Sequence, residues 1–193
     1  MSELSIARAG LVLIDVQREY FAENGPLRIP DGPVVLAHLR QLVEAARAAH
    51  LPIIHIRHEE APGAPVFAPD GTLVETMPDV APQGLEPIVT KHSPGSFTDT
   101  ELSQVLTQFG VRRLVIGGFM THMCCDSTAR QAVERGLEVI FLTDGTATRD
   151  LALGDRKVLA HDVQAATLAA QADGFSTLAD CASVRNVLVE AAW

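Results

Sequence analysis

The chain has 193 residues, of which 47% are hydrophobic and 5% aromatic, a size and composition that suit a single globular domain. Its 15 Lys and Arg residues stand against 24 Asp and Glu, and the formal charge of -9 disfavours nucleic acid and anionic membrane surfaces as partners. The 14 glycines and 11 prolines are near average usage, which excludes collagen-like, low-complexity and disordered classes.

The lack of a recognisable targeting signal and the small number of cysteines favour a cytoplasmic location. Residues 1–9 contain no basic stretch followed by a small-residue cleavage site, and no apolar run has the length of a membrane span. Three cysteines, two of them adjacent at Cys124 and Cys125, do not make a disulfide framework. We therefore expect a cytoplasmic protein with one domain at residues 1–193, and no nucleic-acid or membrane partner.

The first part of the chain predicts a βαβ unit. Residues 10–16 form a continuous apolar run, typical of a parallel strand that is covered on both faces. Residues 33–50 place apolar side chains near helical spacing, and residues 52–56 predict a second strand. Residues 58–85 are rich in Pro, Gly and acids, and we expect this long loop to reach over a functional site.

The alternation of strands and helices continues to the end of the chain. Thr98 to Glu101 has the spacing of a capping box that opens a helix, which Gly110 closes. The other predicted elements are strands at 86–91, 113–117, 137–142 and 175–178, and helices at 124–135, at 155–172 and at the C-terminus. Strands separated by helices of this length imply right-handed crossovers. The sequence therefore predicts a three-layer α-β-α fold with an open, mostly parallel, Rossmann-like sheet.

Three predicted strands end at reactive groups. The first strand ends in Asp15, the third in Lys91, and the fourth leads through a short turn to Cys124 at a helix start. Ligands bind at the carboxyl ends of strands in such sheets, and a helix N-terminus lowers a cysteine pKa and offers N–H donors to an oxyanion. Singly, each residue has an equally good structural explanation, as a cap, a solvated strand end or a small buried hydrophobe. Together, they favour catalysis.

Three stretches of the chain resemble the isochorismatase-like cysteine hydrolases, which include nicotinamidases and N-carbamoylsarcosine amidases. They are residues 13–17 (LIDVQ), Thr90-Lys91 ahead of Ser96, and residues 117–130 (GGFMTHMCCDSTAR). The turn before the cysteine looks most like that of the small streptothricin-hydrolase branch. The resemblance implies an isochorismatase-like topology and a homo-oligomer, a dimer or larger.

The resemblance also implies a catalytic triad of Asp15, Lys91 and Cys124 that needs no cofactor. It implies a cis peptide between Phe119 and Met120, with the backbone N–H groups of Met120 and Cys124 forming an oxyanion hole. Asp15 would accept the thiol proton, Lys91 would hold the charged groups in place, and Cys124 would attack an amide carbonyl. Water would then hydrolyse the thioester.

Four further residues are candidates for lining the pocket, and each also has an ordinary structural explanation. They are Gln17, Phe21, Phe97 and His122. Cys125 points about 100° away from Cys124 on a helix, so we expect it to pack in the core.

A metal site is not expected from the histidine pattern. His55 and His58 are three residues apart on a strand, so their imidazoles point to opposite faces. The Asp-x-His motif of nicotinamidases is replaced here by His58-Glu59-Glu60, which makes nicotinamide an unfavoured substrate.

Three functional hypotheses follow. The leading one is a metal-independent amidohydrolase that acts on a small amide. A thiol redox or sensor protein that uses Cys124 and Cys125, and a catalytically silent small-molecule-binding protein, are the alternatives. An isochorismatase in the strict sense is disfavoured, because its vinyl-ether reaction does not use a cysteine nucleophile.

Overall fold

A computed structural model describes residues 4–191 and shows a six-stranded parallel sheet with helices on both faces. The strands of this sheet are β1 (Ala9–Ile14), β2 (Ile53–His58), β3 (Ile88–Lys91), β4 (Arg113–Phe119), β5 (Glu138–Ala147) and β8 (Thr177–Ala179). A separate two-stranded hairpin consists of β6 (Leu151–Leu153) and β7 (Arg156–Val158). The helices are α1 (Gly32–Ala48), α2 (Leu102–Gln108), α3 (Asp126–Glu134), α4 (Ala160–Gly174) and α5 (Cys181–Ala191). The predicted three-layer α/β fold is confirmed.

The order of the strands creates a crevice at the carboxyl edge of the sheet. The order is β3-β2-β1-β4-β5-β8, so the chain starts at the centre, builds outwards through β2 and β3, and crosses back to β4. The connections after β1 and before β4 therefore leave in opposite directions. Ligands of open α/β sheets bind at such a switch point, which here is the edge that carries Asp15.

Alternation along β1 divides the core into two layers. Leu11 and Leu13 pack with α1 and α5 on one face, whereas Val12 and Ile14 pack with α2 and α3 on the other. All six residues of β1 are buried, because both faces of the central strand are covered. The predicted apolar run thus forms the centre of the molecule.

The starts of α4 and α2 differ from the prediction. The helix expected at 155–172 begins only at Ala160, because β6 and β7 form a hairpin whose two-residue turn starts at Gly154 with φ 59°. The capping box expected at Thr98 does not form, since α2 begins at Leu102 and the Thr98 hydroxyl instead accepts a hydrogen bond from Gln131.

The long segment at 58–85 lies between β2 and β3 and has little regular structure. It contains one short 3-10 turn, Pro78–Val80, and Thr76 forms an isolated bridge with Gln17 just beyond β1. No helix within residues 4–191 is long and apolar enough to cross a membrane.

Candidate active site

The ammonium group of Lys91 joins the three predicted catalytic residues. Its Nζ lies 2.8 Å from Asp15 Oδ2 and 3.3 Å from Cys124 Sγ. The side chains of Asp15 and Lys91 have no solvent exposure, and Cys124 is 4% exposed. The structure therefore places a carboxylate, an ammonium and a thiol together in a buried cluster.

Asp15 and Lys91 meet because β1, β2 and β3 are parallel neighbours whose carboxyl ends share one edge. Lys91 is the last residue of β3, and Asp15 directly follows β1 with φ 50°. Few side chains tolerate that left-handed backbone, but the short carboxylate of aspartate does. The positive φ turns the chain out of the strand at the position of the carboxylate.

Cys124 is brought to Asp15 by the close approach of β4 to β1. Gly118 has φ 122°, and a Cβ at this position would lie 2.0 Å from the carbonyl oxygen of Ile14, so only glycine fits. The peptide bond between Phe119 and Met120 is cis, at the position that the resemblance implies. A π-helical turn, Thr121–Cys125, then carries Cys124, and α3 begins after it rather than at Cys124 as the sequence predicted.

The electrostatics of the cluster keep the resting thiol protonated. Burial raises the pKa of Cys124, the negative Asp15 raises it further, and Lys91 only partly opposes them. The expected lowering of this pKa by the helix N-terminus is therefore wrong. For Lys91, burial acts to lower the pKa, but Asp15 and Cys124 outweigh it and the pKa is raised. The ammonium thus stays charged, and the thiol loses its proton only to a base.

Asp15 has the geometry of that base. Its Oδ2 pairs with Lys91, and the carboxylate also acts on the Cys124 thiol through its charge and a hydrogen bond. A carboxylate beside both the ammonium and the thiol is placed to accept the thiol proton.

Lys91 has two further partners, one of which the sequence analysis missed. Its Nζ lies 3.1 Å from the carbonyl oxygen of Ser93 and 3.0 Å from Nδ1 of His58. The other ring nitrogen of His58, Nε2, lies 3.0 Å from Glu60 Oε1. The sequence pattern indicates His58 only as a possible metal ligand, although this residue ends β2 beside the end of β3, where its register partner is Lys91.

The proposed pocket role of Gln17 is not supported by its contacts. Its amide donates to the carbonyl oxygens of His58 and Val74 at 2.8 and 2.7 Å and accepts from the His58 N–H at 2.9 Å. Both N–H donors are consumed by the backbone. Gln17 therefore fixes the end of β2 to the 58–85 segment instead of offering its amide to a substrate.

Phe97 also lies in a different place from the one predicted. It is 7% exposed and lines a surface cavity together with Arg8 and Val111, which precede β1 and β4. This cavity is at the amino ends of those strands, opposite to the edge that carries Asp15. The guanidinium of Arg135 covers the ring of Phe97 at 4.8 Å from its centroid, which indicates a packing role.

Phe21 and His122 stay candidates for the pocket. Phe21 is partly exposed and meets Phe119, the last residue of β4, edge to face with centroids 5.5 Å apart. His122 lies in the π-helical turn, with Nδ1 2.6 Å from the Thr148 hydroxyl. Burial lowers the pKa of His122 and Arg149 lowers it further, which favours the neutral imidazole.

Cys125 is completely buried in the core beneath α2 and α3, and all three cysteines are free. His55 and His58 have separate partners, because His55 lies 2.9 Å from Glu86 and not near the Lys91 cluster. Within residues 4–191, no group of three or more His, Cys, Asp or Glu side chains is placed to hold a metal ion.

The chain resembles characterised and solved proteins over most of its length. It is 39% identical to a secreted isochorismatase effector from Verticillium dahliae, over 87% of this chain and 85% of that protein. It is 36% identical to a streptothricin hydrolase from Streptomyces noursei, over 73% of this chain and 55% of that one. The crystal structure of a cysteine hydrolase from Pseudomonas syringae superposes with a TM-score of 0.92 at 27% identity, covering 99% and 97% of the two chains.

The family model for the isochorismatase domain matches residues 9–174. That range begins with β1 and ends with α4, so it includes Asp15, Lys91 and Cys124. The chain therefore belongs to the isochorismatase family of hydrolases.

Proposed function

We propose that this protein hydrolyses the carbon–nitrogen bond of a small amide, with Cys124 as nucleophile and a thioester as intermediate. The observation that carries the proposal is the single ammonium, Lys91 Nζ, in contact with both the Asp15 carboxylate and the Cys124 sulfur inside a buried cluster. A streptothricin hydrolase and a nicotinamidase among the relatives support amide chemistry.

The first half of the reaction forms the thioester. Asp15 removes the thiol proton, and the thiolate that results lies against the Lys91 ammonium, which offsets its charge. Sulfur attacks the carbonyl carbon, and the backbone N–H groups of Met120 and Cys124 are the proposed donors to the oxyanion. The protonated Asp15 then gives its proton to the departing nitrogen, so an amine or ammonia leaves.

The second half restores the enzyme. Asp15, now a carboxylate again, takes a proton from a water molecule that attacks the thioester carbonyl. The tetrahedral intermediate collapses with the sulfur as leaving group, and the sulfur recovers the proton from Asp15. One residue thus serves as base and acid in both halves, as its placement beside both the sulfur and the ammonium allows.

The alternative of a dithiol redox protein is weakened by the position of Cys125. The second thiol of a dithiol pair must reach both the sulfur of Cys124 and the attacking reductant. Cys125, however, has no solvent exposure and packs among apolar side chains. Only an activity measurement distinguishes a hydrolase from a catalytically silent small-molecule-binding protein. Homo-oligomeric assembly and a cytoplasmic location stay predictions.

The decisive experiment compares Cys124→Ala with Cys125→Val on a panel of small primary amides. Cys124→Ala should abolish ammonia release while the protein remains folded, and Cys125→Val, which keeps an apolar side chain in the core, should be nearly silent. Mass spectrometry of the wild type quenched with acid during turnover should show an acyl adduct on Cys124. Equal losses in both variants would indicate a dithiol mechanism, and turnover by Cys124→Ala would refute the nucleophile.

A further inference from the structure

Four acceptors surround the Lys91 ammonium, although it has three N–H donors. Besides Asp15, Ser93 and Cys124, the fourth is Nδ1 of His58 at 3.0 Å. Because the ammonium only donates, this ring nitrogen must present its lone pair. The proton of the neutral ring is then on Nε2, where it is donated to Glu60 at 3.0 Å.

We propose that His58 is a positioning residue for Lys91, and that its neutral imidazole, oriented by Glu60, holds the ammonium between Asp15 and Cys124. The inference rests on the proposed function for its meaning in catalysis, but its geometry is independent of the substrate. Without this acceptor the ammonium loses its contact with the end of β2, and with it one of the groups that hold it beside Cys124.

Both the backbone and the ring of His58 are held by neighbouring groups. Its backbone N–H and carbonyl oxygen both bond to the side chain of Gln17, and its ring meets Phe67 edge to face with centroids 5.0 Å apart. The carbonyl oxygen of Phe67 in turn accepts the N–H of Glu60 at 3.0 Å. The imidazole therefore has one orientation in which it can serve both Lys91 and Glu60.

The charged groups around His58 are buried on its inner side and solvent-exposed on its outer side. On the inner side lie Lys91, with Asp15 and Cys124 behind it, all of them buried. On the outer side is Glu60, whose side chain is 48% exposed. The remaining neighbouring carboxylates have other partners, since Glu59 pairs with Arg57 and Glu19 accepts the N–H of Phe67.

The test measures the rate at which iodoacetamide alkylates Cys124 between pH 5 and 9, with the labelled residue identified by peptide mass mapping. This readout needs no substrate. His58→Asn keeps an oxygen acceptor near the position of Nδ1, so it should retain the alkylation rate of the wild type. His58→Leu removes the acceptor and should reduce the rate at least about tenfold at every pH, the effect of a displaced reactive group.

Glu60 is tested by the same comparison. Glu60→Gln keeps an amide oxygen that accepts the Nε2–H and should retain the alkylation rate, whereas Glu60→Ala removes the acceptor and should lower it. Recovery of the rate by the two variants that keep an acceptor, His58→Asn and Glu60→Gln, is a readout that a purely structural role would not give. His161→Asn is the matched control, because His161 is exposed and pairs only with Asp162 in the described part of the chain; its profile should equal that of the wild type.

The outcomes separate this inference from the proposed function. A rate in His58→Asn as low as that of His58→Leu, or a native rate in His58→Leu, would refute the positioning role even if amides are turned over. The predicted alkylation rates without turnover of any amide would support the positioning role and count against the hydrolase. Should His58→Leu fail to fold, Glu60→Ala and Glu60→Gln decide the question, because native rates in both would refute the positioning role.

Discussion

Replacing Lys91 with methionine should destabilise the fold by about 3–5 kcal/mol, the loss expected when one partner of a buried ion pair is removed. Neither Lys91 nor Asp15 has any side-chain exposure, and their charged atoms lie 2.8 Å apart, so solvent does not screen the carboxylate that remains. Methionine has a similar length, which keeps the contribution of a cavity small. In a domain of this size, each kcal/mol lowers Tm by about 2–4 °C, so Tm should fall by about 6–20 °C.

The assay is a double-mutant cycle of wild type, Lys91→Met, Asp15→Asn and the double variant, followed by urea and thermal unfolding. The double variant should be more stable than Lys91→Met alone, because no charge is left unpaired. Arg40→Met is the control, since its pair with Glu44 is largely exposed and contributes about 0.3–0.5 kcal/mol. Additive effects, or a loss below about 1 kcal/mol for Lys91→Met, would refute the buried ion pair.

Three further predictions concern the base, metal independence and acid stability. Asp15→Asn should lower kcat at least about 100-fold with the fold retained, and near-native turnover in steady-state assays would eliminate Asp15 as the base. Dialysis against EDTA should leave turnover unchanged, whereas loss that zinc restores would demonstrate a metal site. Burial opposes ionisation of Glu86, but Arg47 and His55 hold its pKa at about 2 instead of 4.5, so its stabilisation is present above pH 4.5 and lost as the pH falls towards 2. That contribution is about 1–3 kcal/mol, and Glu86→Gln should flatten the unfolding free energy between pH 5 and 2.5; an unchanged slope would contradict it.

The strands and the polar residues at their ends were predictable because buried strands require runs of apolar residues, which are visible in the sequence. The apolar run before Asp15 needs cover on both faces, and a parallel sheet then fixes where Asp15, Lys91 and the cysteine turn must converge. The alternating pattern therefore predicted the sheet, and the sheet in turn predicted which residues would be neighbours at its edge.

The errors concern interactions that depend on distant partners. Thr98 has the local pattern of a cap, but Gln131 of α3 competes for its hydroxyl, and no periodicity reports that contact. Gln17 was predicted to face a substrate, yet two backbone carbonyls from β2 and the following segment take its donors. The pKa of Cys124 was misjudged for the same reason, since burial and the charge of Asp15 outweigh the helix N-terminus.

The protonated state of Cys124 also determines how this enzyme withstands oxidants. Peroxide attacks thiolates far faster than thiols, so a nucleophilic cysteine that is held ionised is exposed to oxidation between turnovers. Here burial and the neighbouring carboxylate raise the pKa of Cys124, and the sulfur is 4% exposed. The resting protein thus keeps the sulfur of Cys124 in the form that peroxide attacks least, and irreversible conversion to a sulfinic acid should be slow compared with that of enzymes that carry a permanent thiolate.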